Sequence, residues 1–193
     1  MNYESARELI EPFEGRVSHI YLDIQGYVTV GIGFMLPTAQ QALPLDWKWR
    51  DPATFGEPNE VDISDEWARV SRARPGMMPG SYHSMTSMDL NDGDIDRLFN
   101  RTVDKMVARL VAIYPEYSKW PMPAQLAVLD MAWNLGPNAL PLNWPKLSAA
   151  LRRRDWQEAA LHSHRSQSHA RRNEAIQGLF VRAAQEASAA RTG

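Results

Sequence analysis

A chain of 193 residues has room for one domain, or two small lobes sharing a core, and for a substantial interior. It contains no cysteine, which excludes a disulfide framework, a thiol nucleophile and thiolate metal sites. The net charge of −2 argues against a nucleic-acid partner, and no apolar run approaches the length of a membrane span. The N-terminus, Met1-Asn2-Tyr3-Glu4, lacks a charged-then-apolar signal region, so a soluble protein made in the cytoplasm is expected, with export needing outside help.

Residues 3–13 carry Leu9, Ile10 and Phe13 on one helical stripe, and Gly15 supplies the left-handed residue that ends a helix. Glu14 is then in the last turn, beside the carbonyl ends. The negative end of the helix dipole disfavours an ionised carboxylate there, which is one route to the raised pKa of a general acid. After Gly15 the period changes to two. Val28, Val30 and Ile32 alternate with Tyr27, Thr29 and Gly31, which predicts a strand with its valines in the core and Thr29 on the solvent face. Ile24-Gln25-Gly26 reads as a hairpin turn with Gly26 at positive φ, and Asp23 stands at its lip. Cleaving a glycosidic bond takes one protonated carboxyl and one ionised one, and a helix end and a hairpin lip are two different environments. Taken singly, both acids also fit solvated surface charges.

Glu14-Gly15 followed by Tyr21-Leu22-Asp23, Gly26, Thr29, Gly31 and Gly33 resembles the signature of the phage-type lysozymes, the muramidase family of many phage endolysins. The resemblance implies a general acid at Glu14, a second carboxylate at Asp23 that activates or positions water, and a water-holding hydroxyl at Thr29. It also implies a mostly helical α+β fold in a single domain over 1–193. That domain would have an N-terminal lobe (1–90) with the catalytic hairpin, a bridging helix (91–114) and a helical lobe (115–193), with a cleft between lobes. No cofactor is implied. The family carries a histidine directly after Gly33, where this chain has Phe34, so any hydrogen bond made by that histidine is expected to be absent.

From Phe34 to about Leu90 the sequence is proline-rich and irregular, and an enlarged insertion relative to the family is expected at 35–90. Only Ile63 to Val70 suggests a helix there, with Ser64 as its cap. Trp47 and Trp49 either stack on sugar rings or form the insertion's own core. A helix starts near Asn91-Asp92 and carries Ile95, Leu98, Phe99, Val103, Met106, Val107, Leu110 and Tyr114 to Pro115. Pro123 to Leu135 is apolar nearly all round, as a central helix is, and Gly136-Pro137 stops it. Asn134 at its end either touches substrate or hydrogen-bonds its own helix terminus. Trp144-Pro145 opens another helix, and Asp155-Trp156-Gln157-Glu158 reads as a capping box. His162, His164 and His169 lack metal-ligand spacing, and no metal is assigned. Arg171-Arg172 opens the last helix on the stripe Ile176, Leu179, Phe180, Ala183. The resemblance places on Arg172, with Arg171 as fallback, the arginine that reaches the catalytic glutamate, which would lower the glutamate's pKa. A frayed tail is expected from Ala187 to Gly193.

Eight arginines against four acids follow Ala150, and thirteen basic against nineteen acidic side chains precede it. The last third therefore suits an anionic polymer, or is a solvated basic face. The activity implied is hydrolysis of the β-1,4 bond between N-acetylmuramic acid and N-acetylglucosamine in bacterial peptidoglycan, by a monomer acting in the periplasm. The alternatives are a non-catalytic peptidoglycan-binding module on a lysozyme scaffold, and an enzyme for chitin-like polymers. An endolysin exported with a holin, or a toxin domain paired with an immunity protein, both fit.

Overall fold

The computed structural model describes residues 2–166 and 168–192. It is 61% helical with two small antiparallel sheets, so the chain is a mostly helical α+β protein. No helix among the described residues is long and apolar enough to cross a membrane. The chain divides into two compact units, Glu14–Thr102 and a second made of the segment up to Phe13 with everything from Val103 onward.

In the Glu14–Thr102 unit, β1 (Val17–Leu22), β2 (Val28–Gly31) and β3 (Phe34–Met35) form a sheet in that order, with Tyr21 opposite Thr29 and Leu22 opposite Val28. A bulge separates Val17 from Tyr21 in the β1 pairing. Residues 35–90 carry regular elements, contrary to the irregular segment expected there. They hold α2 (Ala39–Ala42), β4 (Trp47–Trp49), α3 (Glu60–Ser71), a 3₁₀ turn (Pro79–Met85) and β5 (Met88–Leu90), with β4 and β5 paired into a second sheet. Helix α3 begins earlier than Ser64: Asn59 is its cap, its Oδ1 accepting from the amides of Val61 and Asp62. Proline spacing hid these elements because β4 and β5 pair across a long sequence gap rather than through a local hairpin turn.

Trp47 is buried and donates from Nε1 to the Ala42 carbonyl at 2.8 Å, so it belongs to the core and not to a sugar platform. Trp67 donates to the Leu36 carbonyl at 2.9 Å, which ties α3 to the segment after β3. Arg50, just after β4, bonds Asp89, the His83 and Thr86 carbonyls and the Thr86 hydroxyl, and Ser18 of β1 bonds Asp89 at 2.9 Å. Residues 35–90 are thereby fastened to β1 through a half-buried polar network. Helix α4 (Asp92–Ile113) follows, with Asn91 Oδ1 accepting from the Asp94 amide at 2.9 Å as the sequence predicts.

The other unit is helical. Helix α1 (Tyr3–Glu14) begins in it and delivers Glu14 as its last residue. Helix α5 (Met122–Leu135) is buried from Ala124 through Ala132, and Gly136 caps it at φ 81°, both as expected of an all-round apolar helix. Around it follow α6 (Ala139–Asn143), α7 (Pro145–Arg153), α8 (Trp156–Leu161) and α9 (Ala170–Thr192), with α9 packed on α5 and α8. Asp155 caps α8 by accepting from the Glu158 amide at 3.1 Å, the forward half of the capping box. The expected fraying from Ala187 is not seen, because α9 continues through Thr192; Gly193 lies outside the described residues.

Candidate active site

Glu14 ends α1, and Gly15 follows at φ 77° with nothing within 4 Å of the position a Cβ would take. A left-handed residue is what lets the chain leave a helix and turn at once into β1. Glu14 is half-buried there.

Asp23 organises the hairpin turn that carries it. Its Oδ1 accepts from the amides of Gln25 and Tyr27, both at 2.8 Å, and its own amide donates to the Tyr27 carbonyl at 3.0 Å. Gly26 closes the turn at φ 86°, a backbone that side chains rarely adopt, as the turn reading predicts. These bonds hold the half-buried carboxyl in one orientation. Its Oδ2 makes no hydrogen bond among the described residues. One oxygen is structural and the other is available for chemistry.

Thr29 departs from expectation. It is 2% exposed rather than solvent-facing, and its hydroxyl donates to the Tyr27 carbonyl at 3.0 Å. Strand alternation predicts a wet face only where one side of a sheet is bare, and every residue of β2 is buried. Helix α3 packs on β1 and β2, and Ile95 of α4 would touch a Cβ at Gly31.

Tyr21 lies near the end of β1, two residues before Asp23. It lies opposite Thr29 on the same sheet face, is 8% exposed, and its hydroxyl pKa is pushed up to about 12. Burial is the main cause; the negative charges of Asp23 and then Glu14 add to it. Both carboxylates therefore lie within electrostatic reach of one phenol. In the sequence Tyr21 stands out only as a motif position, because its burial is a property of the folded chain.

Gly33 turns the chain between β2 and β3 at φ 69°, and Phe34 begins β3 opposite Val30, half-buried. In the other unit, Arg172 is buried at 4% exposure and its Nε donates to Asp130 at 2.9 Å. Its guanidinium also lies 5.1 Å over the ring of Phe13, the residue before Glu14 in the chain. Arg165 donates from Nη2 to the other oxygen of Asp130 at 3.0 Å, so one fully buried carboxylate takes two arginines. Asn134 does not bond its own helix end: it is exposed, and its Oδ1 accepts from Arg165 at 3.4 Å. Arg171 is exposed. Arg165 was not singled out from the sequence, since a charged residue in a polar stretch gives no sign of burial. Among the described residues no group of three or more His, Asp or Glu is placed to hold a metal ion. The chain matches no protein-family model and no curated protein.

Proposed function

We propose that this protein is a peptidoglycan hydrolase of the muramidase type, on a two-lobed lysozyme-like fold, cleaving the β-1,4 bond between N-acetylmuramic acid and N-acetylglucosamine. One observation supports the reading: Glu14 is the last residue of α1, followed by the left-handed Gly15, and Asp23 is held by two backbone amides in the hairpin turn that follows β1, so the two carboxylates of the motif have unlike surroundings. Glycoside cleavage uses such a pair.

In this mechanism Glu14, protonated, gives its proton to the glycosidic oxygen as the bond to the anomeric carbon breaks. Asp23, through Oδ2, takes a proton from the water that forms the new bond to that carbon. The Thr29 proton is committed to the Tyr27 carbonyl, so its oxygen serves a water only as an acceptor. Bacterial peptidoglycan is the substrate, and the protein acts in the periplasm as an endolysin or an antibacterial effector domain, a monomer needing no cofactor.

The test is Glu14→Gln on purified cell walls, reading reducing ends. The expected result is a loss of about 10²-fold or more with circular dichroism unchanged, the scale of removing a general acid. Clearing at the wild-type rate by that variant overturns the role of Glu14. Wall binding by the wild-type protein without any release of reducing ends would instead support a non-catalytic binding module.

A further inference from the structure

The segment joining α3 to the 3₁₀ turn, residues 72–78, sits against the turn that carries Asp23. A Cβ on Gly26 would lie 3.8 Å from Cβ of Pro75, ordinary van der Waals contact. The segment is held on both sides of that contact. Before it, the amides of Arg72 and Ala73 donate to the Val70 carbonyl, on a helix packed against β1 and β2. Also before it, the fully buried Tyr82 donates its hydroxyl to the Arg74 carbonyl at 2.6 Å. After it, the Pro79 carbonyl accepts from His19 Nε2 of β1 at 3.0 Å. The backbone is therefore anchored beside Asp23.

The side chains of Arg72 and Arg74 are not. Both residues are exposed, and neither side chain makes an ion pair or hydrogen bond among the described residues. Other basic side chains of this unit are engaged: Arg16 with Asp92 and Asp96, Lys48 with Asp46 and Glu57, Arg50 with Asp89. Two free guanidiniums on a fixed backbone suit a carboxylate-bearing ligand, because the planar fork matches a carboxylate in two parallel hydrogen bonds.

We infer that residues 72–78 form a specificity element of the proposed muramidase site, in which Arg72 and Arg74 recognise the carboxylates of the peptide stems of peptidoglycan. This rests on the muramidase reading. The glycan strand itself is uncharged where its lactyl groups are amide-linked to peptide, so the anionic groups that these arginines can meet belong to the stems. The insertion thus turns a generic glycan cleft toward peptide-substituted strands.

The experiment compares the wild type with the Arg72→Ala/Arg74→Ala double variant on two substrates: glycan strands bearing their peptides, and the same strands stripped of them by an amidase. On peptide-bearing strands KM is expected to rise about three- to tenfold in the variant with kcat unchanged, the scale of two exposed ion pairs. On stripped strands both proteins are expected to behave alike. The gap is expected to narrow in high salt. An equal effect on both substrates, or none on either, overturns the inference. Calorimetric binding of a soluble disaccharide tetrapeptide, set against the bare disaccharide, decides the matter without turnover. Equal affinity of wild type and variant for the peptide-bearing ligand overturns the inference, whereas failure of the wild type to cleave either strand counts against the muramidase reading alone. Tyr82→Phe, which frees the Arg74 carbonyl, is expected to reproduce part of the KM change with both arginines present.

Discussion

At the residue scale, Asp23 holds the hairpin through Oδ1 and, in the proposed mechanism, acts as base through Oδ2, and substitution can separate the two. Asp23→Asn keeps an oxygen to accept from Gln25 and Tyr27, so the hairpin is expected to survive while the base is lost. Asp23→Ala loses both. The expected outcome is that each variant falls about 10²-fold or more in wall hydrolysis, but only the alanine variant also loses stability, by about 1–3 kcal/mol for the two unmet amides. Denaturant titration of the pair checks this; equal stability of the two would separate the carboxylate from the turn. The turn itself was legible in the sequence, because Gly26 follows two residues that interrupt an alternating run. The doubled hydrogen bond to Oδ1 was not, since side-chain acceptors leave no mark in periodicity. Thr29 shows the converse failure, where a sound alternation rule assumed one bare sheet face, whereas every residue of β2 is buried and α3 packs on the sheet.

At the scale of elements, two buried charged networks hold the units together internally. Glu66 of α3 is 2% exposed, its Oε2 accepts from the Ser87 amide at 2.6 Å, and its Oε1 is buried without a hydrogen bond. Burial raises its pKa; the Ser87 and Met88 amides and the charges of Arg69 and Arg50 oppose this without cancelling it. A carboxyl with its folded pKa raised contributes stability that is fully present below its unfolded value and is lost as pH rises through the folded value. The stability of the wild type relative to Glu66→Gln is therefore expected to fall as pH rises from the acid range toward neutrality. Denaturant unfolding at several pH values checks it, and a difference independent of pH would rule it out.

The second network is Asp130 with Arg165 and Arg172, all at most 4% exposed. Asp130→Ala leaves guanidiniums buried without their shared anion, and a loss of about 3–5 kcal/mol is expected by chemical denaturation. A loss below about 1 kcal/mol would mean that water or another group replaces the carboxylate. Helix α5 was legible as a central helix from its apolar run. The ion cluster was not, because Asp130 is a single charged residue in that run and its partners follow it at 35 and 42 positions' remove.

At the scale of the molecule, charge is distributed unevenly along the chain, with the acidic excess before Ala150 and the basic excess after it. If the basic part meets an anionic wall, adsorption must weaken as the Debye length shrinks from about 30 Å at 0.01 M salt to about 3 Å at 1 M. Co-sedimentation of Glu14→Gln with purified walls across that range measures it without hydrolysis, and salt-independent binding would assign adsorption to uncharged contacts.

The amino-acid sequence by itself determined the elements whose signals are local: α1 with its Glu14-Gly15 ending, the Asp23 hairpin, the Asn91-capped α4, the apolar α5 and its glycine stop. Each depends on residues within a turn or two of one another, where period, capping and left-handed glycines act directly. Tertiary structure alone decided the β4–β5 pairing, the burial of Thr29, the contact of Pro75 with the Asp23 turn and the sharing of Asp130 by two arginines. Those depend on which distant segments cover one another, and burial and ion pairing are properties of proximity in space that no local spacing encodes.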